Sequence, residues 1–290
     1  MAIVTNVSTP KPGKMKKALI SRSLVSLLGM IAILLATVYG CRNAQQKQEA
    51  AEAPAGLVSP GEDIEALAGY PLPSSYEVTD LIYAAGAPYI LTLSNDPQKA
   101  QDYITQRDKA LNLGVYGADL CYASTYMMKQ RTMFFLEASK TLVDELGIST
   151  SFNMNYAERV ENNLDDRDSL MRIVEDSFFD TWDHLINNKQ DILARLVVSG
   201  SWIEGMYITT NVAQSSRDNT TFMEILANQS NSLNKLVSLL EPVKDVNEIS
   251  MIYQSLVELQ GIYEGVGESL TDKQLETISD KVKELRNTIV

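Results

Sequence analysis

Residues 193–212 read LARLVVSGSWIEGMYITTNV, and residues 110–128 read ALNLGVYGADLCYASTYMM. Both runs are apolar nearly all the way round at helical length, which puts them at the centre of a helical fold rather than on its surface. Each holds one acid, Asp119 in the first helix of the pair and Glu204 in the second, and each sets glycines beside an aromatic ring. The patterns are Gly114-Val115-Tyr116-Gly117 and Gly200-Ser201-Trp202-Ile203-Glu204-Gly205, echoed by Gly261-Ile262-Tyr263-Glu264-Gly265. Glycine inside a helix costs about 1 kcal/mol against alanine, so its use here has a reason. Two reasons are open. Either the helices pack closely, a missing side chain letting a neighbouring aromatic ring lie against the backbone, or Tyr116, Tyr122, Tyr126, Trp202 and Tyr207 line a ligand pocket floored by Asp119 and Glu204. Arg195 or Arg131 would instead neutralise the two acids as structural ion pairs, and spacing does not decide between these arrangements.

Around this pair the signals are amphipathic. Ser74 or Ser75 caps a helix through Tyr76, Leu81, Ile82 and Tyr83, with Pro88 as its end. Asp96-Pro97 reads as cap and first turn of a helix reaching about Met128, and residues 131–146 continue to a stop at Gly147. Residues 157–164 form a short helix, a longer one runs from Asp168 to the break at Asn187-Asn188, and residues 192–212 follow. Three further helices carry apolar residues at three- and four-residue steps, the last with Leu275, Ile278, Val282, Leu285 and Ile289 on one face. Asp245 with Glu248, and Thr271 with Gln274, stand at capping-box spacing. No sustained alternation marks a strand. The expected fold is all-α: a bundle of about six to eight helices, two central and apolar, the rest amphipathic, forming a single domain over residues 74–290.

Before that domain lies a different kind of sequence. Lys14, Lys16, Lys17 and Arg22 precede an apolar run from Leu24 to Val38, closed by Gly40-Cys41. That order resembles the bacterial lipoprotein signal, whose lipobox is a Leu-like residue, two small residues and an acylated cysteine. Val38, Gly40 and Cys41 match it, and Tyr39 stands where Ala or Ser is usual. Met15 reads as the start of the signal, so that residues 1–40 comprise an extension and a removable signal peptide. The resemblance implies that Cys41 begins the mature protein and carries lipid, with several acyl chains giving a stable anchor. Arg42-Asn43-Ala44 lacks both an inner-membrane retention aspartate and an acidic export run, which implies the periplasmic face of the outer membrane. Residues 41–73, rich in Ala, Gln, Glu and Pro, read as a flexible linker with a reach on the order of 30 Å. The helical part resembles helical lipoproteins of Bacteroidota, a likeness that implies no particular activity.

The chain carries a net charge of −12; all five basic residues before Cys41 fall in the signal or its extension, leaving 20 basic against 37 acidic residues, or −17, in the mature part. Such a balance excludes nucleic acid as partner. Without Cys41 the only cysteine is Cys121, so no internal disulfide forms and Cys121 reads as an inert core thiol. His184, the one histidine, shares a helix face with Asp176 and Asp180, a pattern better explained by a solvated acidic face than by a metal site. No phosphate loop, dinucleotide fingerprint or HExxH motif occurs. No cofactor, metal or catalytic residue is therefore expected. The sequence supports a non-catalytic, membrane-anchored envelope protein that binds or scaffolds a protein partner, with a small-ligand module built on the two central helices as the alternative.

Overall fold

The computed structural model describes residues 75–148, 155–216 and 219–290, all within one compact unit. The signal, Cys41, the linker and the Ser74 cap lie outside the described residues. Nine α-helices and two short 3-10 turns account for the elements found, and no strand occurs among the described residues. The fold is thus the expected all-α multi-helix bundle, with nine helices among the described residues. They are α1 (Ser75–Ala84), α2 (Gln106–Thr125), α3 (Lys129–Glu145), α4 (Asn155–Asn162), α5 (Arg167–Asn187), α6 (Asp191–Ser215), α7 (Thr220–Leu240), α8 (Asn247–Tyr263) and α9 (Asp272–Asn287).

The centre is the crossing of α2 and α6, the most extensive helix–helix contact in the fold. Glycine makes it possible. A Cβ on Gly114 would sit 2.0 Å from the Val197 carbonyl oxygen, and one on Gly200 would sit 1.9 Å from that of Leu111, so the two backbones touch. Gly205 lies close to Ser75 of α1, 3.2 Å from its Cβ by the same measure, whereas Gly117, Gly261 and Gly265 face open space. Close packing therefore explains Gly114 and Gly200, with helix backbone rather than the expected aromatic ring against them, and does not explain those three. Helices α3 and α5 pack on α2, helices α1, α7 and α9 on α6, and α8 closes against α7 and α9.

Local signals hold in part. The Thr271–Gln274 capping box forms at the start of α9. Asp245 does not cap α8, which begins one residue later behind Val246 with no side-chain cap. Asp96 does cap, accepting from the Gln98 N–H, yet the helix it starts is only the 3-10 turn Pro97–Gln101. The chain then restarts at Thr105, whose hydroxyl accepts from the Asp108 N–H to cap α2. A cap fixes where a turn begins and says nothing of its length, so one expected helix became two elements. Helix α1 ends at Ala84, before Pro88, because Gly86 adopts φ +84° and closes a Schellman pattern, with Ala87 N–H bonded to the Ile82 carbonyl. Gly147 does the same after α3. Met127 and Lys189 take this left-handed conformation after α2 and α5 without being glycine, and α5 ends at the expected break, Asn187-Asn188.

Candidate functional site

The α2 stripe Tyr116, Asp119, Tyr122 and Tyr126 recurs at three- and four-residue steps and so lies on one helix face. That face holds the chain's own segment 87–96, which runs between α1 and the Pro97–Gln101 turn. Tyr126 Oη donates to the Ala87 carbonyl (2.8 Å), Tyr122 Oη accepts from the Ile90 N–H (2.8 Å), Asp119 Oδ2 accepts from the Asn95 N–H (2.9 Å), and Tyr116 Oη donates to the Asp96 carbonyl (2.7 Å). Tyr89 of the same segment lays its ring on Tyr122, with centroids 4.6 Å apart. Four side chains thus supply the backbone hydrogen bonds that an irregular segment cannot make for itself.

Glu204 of α6 is fully buried and meets Arg286 of α9 side-on: Nε donates to Oε2 at 2.5 Å and Nη2 to Oε1 at 2.9 Å. The guanidinium lies over the Tyr207 ring, 4.2 Å from its centroid, and Nη2 also reaches the Leu93 carbonyl (3.5 Å). Of the expected set, Glu204 and Tyr207 meet at this arginine, and Asp119 joins them electrostatically. Trp202 is turned the other way, its Nε1 donating to Ser232 Oγ of α7 at 3.0 Å. The acids' partner is neither Arg195, which donates to the Leu239 carbonyl, nor Arg131, whose guanidinium covers the Phe135 ring at 4.7 Å. Sequence reasoning passed over Arg286 although it falls four residues after Val282, on the apolar face of α9; a cation in such a stripe demands a buried counter-ion.

Burial, and next the Glu204 carboxylate, push Asp119 well above the usual carboxylate range; the Asn95 N–H and Arg286 oppose this. Burial raises Glu204 too, against the two hydrogen bonds from Arg286. With Asp119 protonated, the two carboxyls and one guanidinium carry no net charge, the inexpensive state for a fully buried group. Because the folded pKa of Asp119 is raised, its contribution to stability is fully present below the unfolded value and is lost as pH rises through the folded one. An Asp119→Asn chain keeps the acceptor for Asn95 and loses this dependence. Urea unfolding from pH 4 to 9 should show the variant gaining on the wild type as pH rises; a constant difference would mean that Asp119 is ionised throughout.

No protein-family model, curated protein or solved structure matches this chain. Besides a space of about 20 Å³ beside Trp202, between α1, α6 and α7, two larger ones lie against the central helices and their neighbours. One is a polar cleft of about 370 Å³ between the Pro97–Gln101 turn and α3, with Arg131, Phe134 and Glu137 on one side and Asp96 and Gln98 on the other. The other is an apolar slot on the face of α2 opposite the tyrosines, lined there by Leu113, Gly117, Leu120 and Cys121. Asp176 pairs with Arg159 (3.3 Å), and among the described residues no three His, Cys, Asp or Glu side chains are placed to hold a metal ion. No described helix is long and apolar enough to cross a membrane.

Proposed function

We propose that this chain is a non-catalytic protein of the bacterial cell envelope, held at the membrane by lipid on Cys41, whose helical domain binds or scaffolds a protein partner. The observation that carries the non-catalytic half is the use of the buried acids and tyrosines within the fold: Glu204 is taken by Arg286, and Tyr116, Asp119, Tyr122 and Tyr126 are taken by segment 87–96. Acids so engaged are poorly placed to act as base or nucleophile toward a substrate. A protein partner is supported by large apolar side chains left in water, Ile104 at 86% exposure and Leu91 and Met251 at 55% and 56%. Cys121 is buried and its thiol is pushed up to about 12 by that burial, which suits packing rather than reactivity.

The test is made on the full chain in intact bacterial envelopes, with a photoreactive residue at Ile104, Leu91 or Met251. The expected result has two parts: an intact mass beginning at Cys41 with a lipid increment that Cys41→Ser abolishes, and a discrete cross-link to one other protein. An unmodified amino terminus would overturn the anchor, and the absence of adducts from all three positions would overturn the partner.

A further inference from the structure

The apolar slot has a volume of about 50 Å³ and lies between α1, α2, α5 and α6, with Ser139 of α3 and Tyr156 of α4 completing its lining. Leu113, Leu120, Cys121, Val174 and Val197 form its buried wall, while Tyr76, Glu175, Phe178 and Phe179 are partly or largely exposed and make its rim. Two observations set it apart from an ordinary packing fault. The first is Gly117. Glycine is the poorest helix former after proline, and Gly114 and Gly200 justify it by the contact of two backbones, but a Cβ on Gly117 would meet nothing within 4 Å. What this glycine leaves is space in the slot.

The second is Ser139 of α3. The residue lines the slot and is 3% exposed, and its hydroxyl has no hydrogen-bond partner among the described residues. The slot's other serine and threonine hydroxyls are engaged: Ser177 with the Val174 carbonyl (2.7 Å), Thr181 with the Ser177 carbonyl (2.7 Å) and Ser201 with Ser75 Oγ (3.1 Å). Buried hydroxyls rarely go unpaired. An apolar cavity with one aimed polar group is how small ligands are oriented.

We infer that the slot is a binding site for a small neutral molecule with a short aliphatic chain and one hydroxyl, the hydroxyl hydrogen-bonded to Ser139 and the chain against Leu113, Gly117 and Leu120. Its volume is a third of the roughly 150 Å³ in which an engineered apolar cavity holds benzene, so two or three carbons fill it and any remainder rests on Phe178 and Phe179. A carboxylate or phosphate end is disfavoured by Glu175 at the rim, and an ammonium end by the apolar wall. This site is independent of the lipid anchor and of any protein partner.

The full chain, ¹⁵N-labelled, is titrated with ethanol, propan-1-ol, butan-1-ol and hexan-1-ol while the amides of Gly117 and Cys121 are followed by NMR. Saturable shifts are expected, with affinity rising about fourfold per methylene until the slot is full and flattening by hexan-1-ol. Gly117→Leu should abolish them in a chain that circular dichroism shows to be helical, and Ser139→Ala should weaken butan-1-ol about fivefold. Shifts that stay linear for every alcohol, or that saturate unchanged in Gly117→Leu, would overturn the site. Unchanged butan-1-ol affinity in Ser139→Ala would overturn the role of the hydroxyl, and this arm decides alone if Gly117→Leu does not fold.

Discussion

Gly200→Ala is expected to lower stability by about 3 kcal/mol or more, and Gly114→Ala by a similar amount. The added methyl group would stand 1.9 Å from the Leu111 carbonyl oxygen in one variant and 2.0 Å from that of Val197 in the other. These obstacles are backbone, not the ends of flexible side chains, so relief requires α2 and α6 to separate along the most extensive contact in the fold. Overpacked cores ordinarily lose 1–3 kcal/mol, and a backbone clash belongs at or beyond the top of that range, even after the gain of about 1 kcal/mol that alanine brings to a helix. Against a typical total of 5–15 kcal/mol this is a large fraction. Gly117→Ala supplies the contrast, since its methyl group meets nothing and the helix gain stands alone. Urea midpoints for the three variants check the argument; equal midpoints for Gly200→Ala and Gly117→Ala would remove the crossing as the reason for the central glycines. The double change Gly114→Ala with Gly200→Ala should cost less than the two apart, because helices already separated for one methyl group accommodate the second.

The same glycines show where the sequence was legible. That residues 110–128 and 193–212 are apolar on every side was enough to make them the centre, and the spacing of Leu275, Ile278, Val282, Leu285 and Ile289 was enough to lay α9 on the core, where all five are buried. Local capping chemistry was readable when a box had both halves, as at Thr271 and Gln274. Contacts between elements distant in sequence were not. Gly114 and Gly117 look alike in GVYG, yet a three-residue step carries the second off the crossing and into the slot. Trp202 sits two residues before Glu204, about 200° around the helix, so two side chains adjacent in sequence serve opposite faces. The α2 tyrosines were read with Trp202 and Tyr207 as the lining of a ligand pocket, and nothing in their spacing told that segment 87–96 would lie along them. That segment has no helix or strand period of its own, and it meets the stripe mainly through backbone groups, with the Tyr89 ring as the side-chain contact.

Arg286→Met is expected to cost about 3–5 kcal/mol near pH 8, because it leaves Glu204 fully buried without its counter-ion. It also removes the cation over Tyr207 and the donor to the Leu93 carbonyl, which tie α9 to α6 and to segment 87–96. Without the guanidinium, the burial that already raises Glu204 acts unopposed, and Asp119 loses the cation that restrains its own rise. A carboxyl whose folded pKa is raised is most favourable below its unfolded value, near pH 4, and becomes less so as pH climbs through the folded one. The loss in Arg286→Met should therefore be markedly smaller at pH 4 than at pH 8, where the wild type keeps an ion pair and the variant must either hold a proton on Glu204 or bury a naked charge. Adding Glu204→Leu to Arg286→Met should restore most of the stability at pH 8 and erase that difference, since apolar groups of similar size replace a buried pair at little cost. Urea unfolding of the two single variants and the double at both pH values closes the cycle. A double variant as weak as Arg286→Met would show that α9 depends on the arginine's contacts with Tyr207 and Leu93 more than on charge pairing. A recovered double would identify the pair as a device that fixes how α9 docks on α6, with its two charges replaceable as far as stability is concerned.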